Sequence, residues 1–418
     1  MKFTLKVLTL NIWGLPISFP LGTKDKSTRV SAIAKRLCDG EFDIVTLQEV
    51  WCYGDFELLR NVTAKTYPHS FYFHSGVIGS GLCIFSKHPI YDTLMGRYTL
   101  NGYPHHIHRG DWLGGKVVGL AKLRHMTYSD VSIFVYVTHI HAQYGDADPY
   151  LPHRTVQAFE LSQFIKQTCT GADIVIVTGD FNLEPETLGA QLILANADLL
   201  DCWEVCKNKS KDDTNGYTSD LPSNCYTDPR YERKSMPDGH RIDYICYKAF
   251  VGLDVEVDRC WTDFHKISGC DINYSDHAGV CAILNCRSKD TNDQIPSPSM
   301  SPFPRVLSTR SMCDMLDETI SIIEPAINSI SYDRAFYSIW TILLAFMYFY
   351  TIDLEIHYPS IAVLMMLVRF FVTLGLAFCF LNGIVSSTVE KKFLTGARDS
   401  IKIVQNSSMK DAVNARNY

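Results

Sequence analysis

The stretch Asp173-Ile174-Val175-Ile176-Val177-Thr178-Gly179-Asp180-Phe181-Asn182 decides how this chain is read. A short β-branched run closed by Gly-Asp suits a buried strand whose end carries polar groups. Two more runs of the same kind are Phe42 to Leu47 and Val131 to Thr138, and Ile242 to Tyr247 is a later one. Between these strands lie helical spacings. Val30, Ile33, Ala34 and Leu37 mark one helix face, and Ala158, Leu161 and Ile165 mark another. The alternation predicts an α/β domain with helices covering sheets. Phe3, Leu5 and Val7 alternate, and no small-residue cleavage site follows. Met1 to Trp13 therefore reads as a first strand and not as a signal peptide.

The chain has 418 residues, a net charge of −6, a sequence pI of about 6.2 and a mean hydropathy of −0.01. That is room for one large domain with appendages. The charge does not suggest a groove that neutralises many nucleic-acid phosphates, and no nucleic-acid partner is expected. The 14 cysteines are scattered, without C-x-x-C pairs or zinc spacing. They read as reduced, mostly buried thiols. Sequons at Asn61, Asn208, Asn273 and Asn406 are short patterns of the kind that chance supplies.

After residue 286 the composition shifts. Residues 287–305 are polar and proline-rich, as in a linker. Residues 306–334 form a juxtamembrane segment, with a helix over Met312 to Ile323 that Pro325 interrupts. The apolar runs 335–352 and 361–385 are each near the ~20 residues that a helical span needs. The second contains Arg369, at about 2.5–3.5 kcal/mol if central. The loop between them carries Asp353 and Glu355. The outer flanks carry Arg334, and Lys391, Lys392, Arg398 and Lys402. Positive charge prefers the cytosol, so residues 1–286 and the tail 386–418 are expected there, with a membrane hairpin between.

Five clusters place carboxylate, amide or imidazole groups at or beside strand ends. They are Leu10-Asn11-Ile12-Trp13-Gly14, Leu47-Gln48-Glu49-Val50, Thr138-His139-Ile140-His141, Gly179-Asp180-Phe181-Asn182 and Ser275-Asp276-His277-Ala278-Gly279. Each alone is weak, because Asn after a strand and Gly-Asp pairs are common turn residues. Their order and spacing together are specific. The set resembles the endonuclease/exonuclease/phosphatase superfamily over the whole first domain.

The resemblance implies a four-layer α/β sandwich of the DNase-I-like type, here followed by a two-helix transmembrane hairpin. It also implies a Mg²⁺-dependent phosphodiesterase. Mg²⁺ takes oxygen ligands and keeps several waters, so one or two protein ligands suffice. Glu49 is the expected direct ligand, Asn11 assists, and Asp276 holds a second metal or braces the site. His277 is the expected general base, active as the neutral imidazole, so activity should fall below about pH 6.5. Asp243 in Arg241-Ile242-Asp243-Tyr244 matches the orienting carboxylate. Asp180 and Asn182 resemble the pair that positions the attacking water. His139 resembles the histidine that contacts the phosphate, and His141 shares its strand face.

Further stretches resemble the neutral sphingomyelinases of the small membrane-bound type. These are Ser75 to Leu82, Phe85 to Pro89, Tyr98 to Pro104, and Gly110-Asp111-Trp112 followed by Lys116. There Asp111 and Lys116 match an Asp and Lys pair in which the Lys engages the substrate phosphate. Phe181 stands where some relatives carry Leu. The expected reaction is hydrolysis of sphingomyelin to ceramide and phosphocholine at a bilayer of the endoplasmic reticulum or plasma membrane, with anionic lipids as candidate activators. The alternatives are a phospholipase C on lyso-platelet-activating factor or lysophosphatidylcholine, a membrane-tethered nuclease, and a non-enzymatic scaffold.

Overall fold

A computed structural model describes residues 1–418 except 19–21, 107–108, 146, 209–214, 228–237, 289–310 and 417–418. The expected linker falls almost wholly outside the described residues. By contacts the chain forms two units. One comprises Met1–Asn101, Leu113–Tyr150 and Gln157–Ser311; the other comprises Gly102–Trp112, Leu151–Val156 and Met312–Tyr418.

The first unit holds twelve strands. They are β1 (Lys2–Asn11), β2 (Ile44–Gln48), β3 (His69–Tyr72), β4 (Cys83–Ser86), β5 (Ile90–Arg97), β6 (Val117–Arg124), β7 (Ser132–His139), β8 (Ile174–Asp180), β9 (Leu200–Asp201), β10 (Asp243–Ala249), β11 (Leu253–Asp263) and β12 (Gly279–Ser288). Two six-stranded mixed sheets result, ordered β11-β12-β1-β2-β4-β3 and β5-β6-β7-β8-β10-β9. The helices are α1 (Lys26–Leu37), α2 (Tyr53–Thr63), α3 (Leu151–Thr168), α4 (Leu188–Ala197) and the single turn α5 (Cys202–Val205).

Strand alternation decides the layers. Leu5, Val7 and Ile44 from one sheet meet Val135, Val137, Ile174 and Ile176 from the other in a shared core. The opposite face of the first sheet packs Leu8, Leu10 and Val45 against Val30, Ile33 and Leu37 of α1. The opposite face of the second packs Val175 and Val177 against Leu161 and Ile165 of α3 and Ile193 of α4. Helix, sheet, sheet and helix therefore form the four-layer α/β sandwich. Both faces of β8 are covered, so Ile174 to Val177 are fully buried. Each such side chain contributes about 1.5–3 kcal/mol. Thr46 Oγ1 and Thr178 Oγ1 bond across the sheets at 2.8 Å. All fourteen cysteines are free and most are buried.

The second unit contains α6 (Met312–His357), the 3-10 turn Pro359–Ile361, α7 (Ala362–Phe380), a π-turn at Leu381–Ser386 and α8 (Ser387–Arg416). Two expectations are corrected here. Pro325 does not interrupt α6, which runs through it. An interior proline costs about 3 kcal/mol. Packing offsets that, since Ile323, Ile327 and Ile330 are buried around it. Asp353 and Glu355 also lie in α6 and not in a loop. Glu355 pairs with Arg369 of α7, whose Nη1 also donates to the Thr351 carbonyl at 3.4 Å. That pairing explains how α7 carries an arginine.

Candidate active site

Strand register brings distant clusters side by side. Asn11 pairs with Gln48, which precedes Glu49, in the first sheet. In the second sheet Asp180 is the Cα partner of both His139 and Asp243. The two sheets meet at this edge, where Asn11 Nδ2 donates to Glu49 Oε1 and to Asp180 Oδ2, both at 3.1 Å. Asn11 Oδ1 accepts from the Trp13 amide at 3.0 Å.

The local backbone is bent to serve this edge. Trp13, Glu49 and Asn182 have φ of 49°, 58° and 49°, a left-handed conformation that non-glycine residues adopt at a cost. Gly81 crosses behind Glu49. A Cβ on it would lie 3.2 Å from the Glu49 Cα, which gives a physical reason for glycine in the Ser75–Leu82 stretch.

His277 Nδ1 donates to Asp243 Oδ2 at 2.8 Å, and both side chains are buried. The second nitrogen is thereby left for proton transfer. Burial works against the imidazolium, but Asp243, Asp276 and Asp180 outweigh it and raise the His277 pKa well above its ordinary value. The acid limit expected at about pH 6.5 therefore moves upward. Burial raises the Asp180 carboxyl to about 7, reinforced by Asp243. Burial also raises Glu49 and Asp276, with Asp276 adding to the effect on Glu49.

Lys116 Nζ donates to His139 Nε2 at 2.9 Å and to the Ile140 carbonyl at 3.0 Å, and that Nε2 lies 3.5 Å from Asp180 Oδ2. Lysine has no acceptor, so Nε2 of His139 accepts and Nδ1 carries the proton. Burial, then Lys116, holds the His139 pKa well below its usual range. Asn182 Nδ2 donates to the Ile140 carbonyl at 3.0 Å, and its amide donates to Asp180 Oδ1 at 2.9 Å.

Ten site residues were expected from the sequence. The structure brings Asn11, Glu49, His139, Asp180, Asp243 and His277 to one edge, with Lys116 and Asn182 bonded to its rim and Asp276 adjoining His277. Asp111 lies in the turn Asp111–Leu113 and belongs to the second unit. His141 packs elsewhere: it stacks on Tyr150 with centroids 4.2 Å apart. Sequence reasoning missed Trp51, whose ring centroid is 6.2 Å from that of His139, and Arg29, which follows below.

The arrangement fits a hard divalent cation and an anion together. Asp180, Asp243 and His277 could share an ion by the spacing of their ligand atoms. Buried Glu49 Oε2 and Asp243 Oδ1 lack a hydrogen-bond donor, while the buried His139 Nδ1 lacks an acceptor. Oxygen donors in excess suit Mg²⁺, and the Lys116 ammonium suits a phosphate oxygen.

The profile of the Endonuclease/Exonuclease/phosphatase family matches residues 8–277. A putative neutral sphingomyelinase of Caenorhabditis elegans is 38% identical over 96% of this chain and 91% of its own length. Human sphingomyelin phosphodiesterase 2 is 40% identical over 72% of this chain and 69% of its own. This chain belongs to the endonuclease/exonuclease/phosphatase family, and within it to the neutral sphingomyelinases. Among solved structures, an endonuclease/exonuclease/phosphatase from Bacteroides vulgatus superposes with a TM-score of 0.50 at 19% identity, covering 68% of this chain and 99% of that one. That likeness speaks for the fold alone.

Proposed function

We propose that this family member hydrolyses sphingomyelin to ceramide and phosphocholine in a Mg²⁺-dependent reaction at a bilayer. The supporting observation is the buried His277–Asp243 pair, 2.8 Å apart, set beside Asp180 in a chain 38–40% identical to sphingomyelin-acting relatives. Water supplies the nucleophile. Its oxygen bonds to phosphorus, the P–O bond to ceramide breaks, and the ceramide oxygen leaves as an alkoxide that takes a proton from solvent water to become the alcohol. Nε2 of His277 takes the water proton, while Asp243 holds the Nδ1 proton and fixes the ring. Asp180 and Asn182 orient the water. Lys116 holds a non-bridging phosphate oxygen through a charge-assisted bond, and His139, bonded to Lys116 at 2.9 Å, contacts the phosphate beside it.

Glu49, assisted by Asn11 and with Asp276 nearby, is assigned to hold Mg²⁺. When bound, the ion supplies positive charge that neutralises the buried carboxylates and stabilises the charge developing on phosphate and leaving oxygen. Asp111 is assigned to substrate binding with Lys116.

Two helices of the second unit have 18-residue windows of mean hydropathy 1.6 and 2.4. Phe346, Phe371 and Val363 are 71%, 67% and 70% exposed. Apolar surface of that extent supports a hairpin in lipid; the cytosolic placement of residues 1–286 is assigned from the flanking Arg334, Lys391, Lys392, Arg398 and Lys402.

The test is phosphocholine release by the full-length protein in mixed micelles. Sphingomyelin, lysophosphocholine lipids and plasmid DNA are compared, with Mg²⁺ and then with chelator. Chelator-sensitive release from sphingomyelin is expected. Cleavage of DNA alone, or no Mg²⁺-dependent lipid cleavage, overturns the proposal.

A further inference from the structure

Arg29 is completely buried, yet no carboxylate touches it. Its guanidinium has five N–H donors, and every one is used on a neutral acceptor. Nε donates to the Lys24 carbonyl at 2.8 Å. Nη1 donates to the carbonyls of Ile12 at 2.6 Å and Tyr274 at 3.3 Å. Nη2 donates to the Trp13 carbonyl at 2.8 Å and to Thr23 Oγ1. The cation also lies over two aromatic rings, 5.0 Å from Trp13 and 5.5 Å from Tyr226.

The acceptors are not randomly placed. Ile12 directly follows Asn11, which bonds Glu49 and Asp180. Tyr274 stands just before Ser275, Asp276 and His277. The two segments are far apart in sequence and arrive from different elements, β1 and the loop before β12. Asn224 reinforces the second segment by donating to the Ser275 carbonyl at 2.9 Å. A buried cation without a contacting counterion is costly. The acidic groups in its field are Asp276, Asp25 and Glu49, two of them in the candidate site.

We propose that Arg29 is a positioning residue of the hydrolytic site, a fork that clamps the Asn11 segment to the Tyr274–His277 segment and so sets the distance between the metal side and the base side. The inference rests on the hydrolase reading given above. Neither partner of the clamp is redundant, because the Ile12 and Tyr274 carbonyls share one guanidinium nitrogen. Lysine would keep the charge but not the fork, since a single ammonium has three donors on a flexible stem. Catalysis depends steeply on such spacing, and a misplacement of about 1 Å can cost about 100-fold.

The experiment is a double-substitution cycle in the full-length protein, with Arg29→Lys, His277→Ala and both together. In the wild-type background Arg29→Lys should lower kcat about 30- to 100-fold and change the apparent KM less than about threefold. In the His277→Ala background the same change should cost less than about threefold, because the group it positions is gone. A role confined to stability would lower activity equally in both backgrounds, and that additive result overturns the proposal. So does an unchanged kcat in folded Arg29→Lys, or a loss carried by KM. If Arg29→Lys does not fold, Thr23→Val removes one acceptor of the fork. It should then lower kcat at least about threefold, again only when His277 is present. If His277→Ala itself leaves the rate unchanged, His277 is not the base and the clamp argued to position it is overturned with that assignment, while the hydrolase reading is judged separately by chelator-sensitive phosphocholine release from sphingomyelin.

Discussion

Replacing Asp243 with Asn tests the proton-transfer reading most directly. The substitution keeps shape and removes one charge from a 2.8 Å bond in which both partners are buried. A hydrogen bond to a charged group is worth about 1.5–3 kcal/mol, so loss of its transition-state part lowers kcat about 10- to 150-fold. The pH dependence carries more information. Asp243 is the strongest of the groups that raise the His277 pKa. In the native protein the base is therefore lost as pH falls through a value above 6.5. Without the Asp243 charge the imidazole holds its proton less tightly, and the acid limb moves to lower pH. The deficit of the variant should thus be largest at alkaline pH and narrow toward acid. The assay is kcat for phosphocholine release from mixed micelles between about pH 5 and about pH 9 at saturating Mg²⁺. An acid limb that stays in place or moves up, or a loss below about threefold, refutes the assignment.

His277→Ala should lower kcat by about 10² to 10⁴; an unaltered rate in a folded variant removes His277 from the role of base. Chelator should abolish activity, and Glu49→Gln should raise the Mg²⁺ concentration for half-maximal activity at least about tenfold. An unchanged Mg²⁺ titration would shift the ligand assignment away from Glu49. Gly179→Ala is a stability test. Gly179 has φ of 139°, and an added Cβ would lie 2.0 Å from the Thr138 carbonyl, on a strand that pairs with its own. The strain should reach roughly 3 kcal/mol or more and lower the melting temperature by about 5 °C or more; an unaltered melt would mean that the pairing of β7 with β8 relaxes.

The sandwich was legible because its strands are covered on both faces. Runs such as Ile174 to Val177 cannot be solvent-facing, and the helices between them show a single apolar stripe. Most of the site was legible for a related reason: Asn11, Gln48, His139 and Asp180 end strands and Asp243 begins one. A strand end is the place where a polar side chain escapes the core yet stays anchored by a ladder. Other features depend on pairings that no local pattern contains. Arg29 stands four residues before Ile33 on the buried stripe of α1, where a charge has no local partner; the carbonyls that satisfy it come from Ile12, Trp13 and Tyr274, in other segments. Arg369 looks like a defect in an apolar run until Glu355 of α6 meets it. His141 follows the strand rule for sharing a face with His139, but β7 ends at His139 and the chain then turns toward Tyr150.

The electrostatics give these observations one direction. Four buried carboxyl groups, Glu49, Asp180, Asp243 and Asp276, crowd one edge, and burial pushes three of them upward. That crowding of buried acidic groups raises the carboxyls of Glu49, Asp180 and Asp276 and the imidazole of His277 together. The positive groups nearby are arranged unequally. Lys116 bonds His139 and the Ile140 carbonyl, and the five donors of Arg29 go to carbonyls and a hydroxyl. The site therefore has a standing demand for positive charge that its own side chains do not meet. A divalent cation held there would supply that positive charge. The phosphate is assigned to Lys116, whose ammonium is bonded to His139 at this same edge. Substituting Lys116 would accordingly weaken anion binding, whereas substituting Arg29 would disturb the geometry and leave anion binding largely intact. The expected split between KM and kcat for the two residues follows from where their donors point.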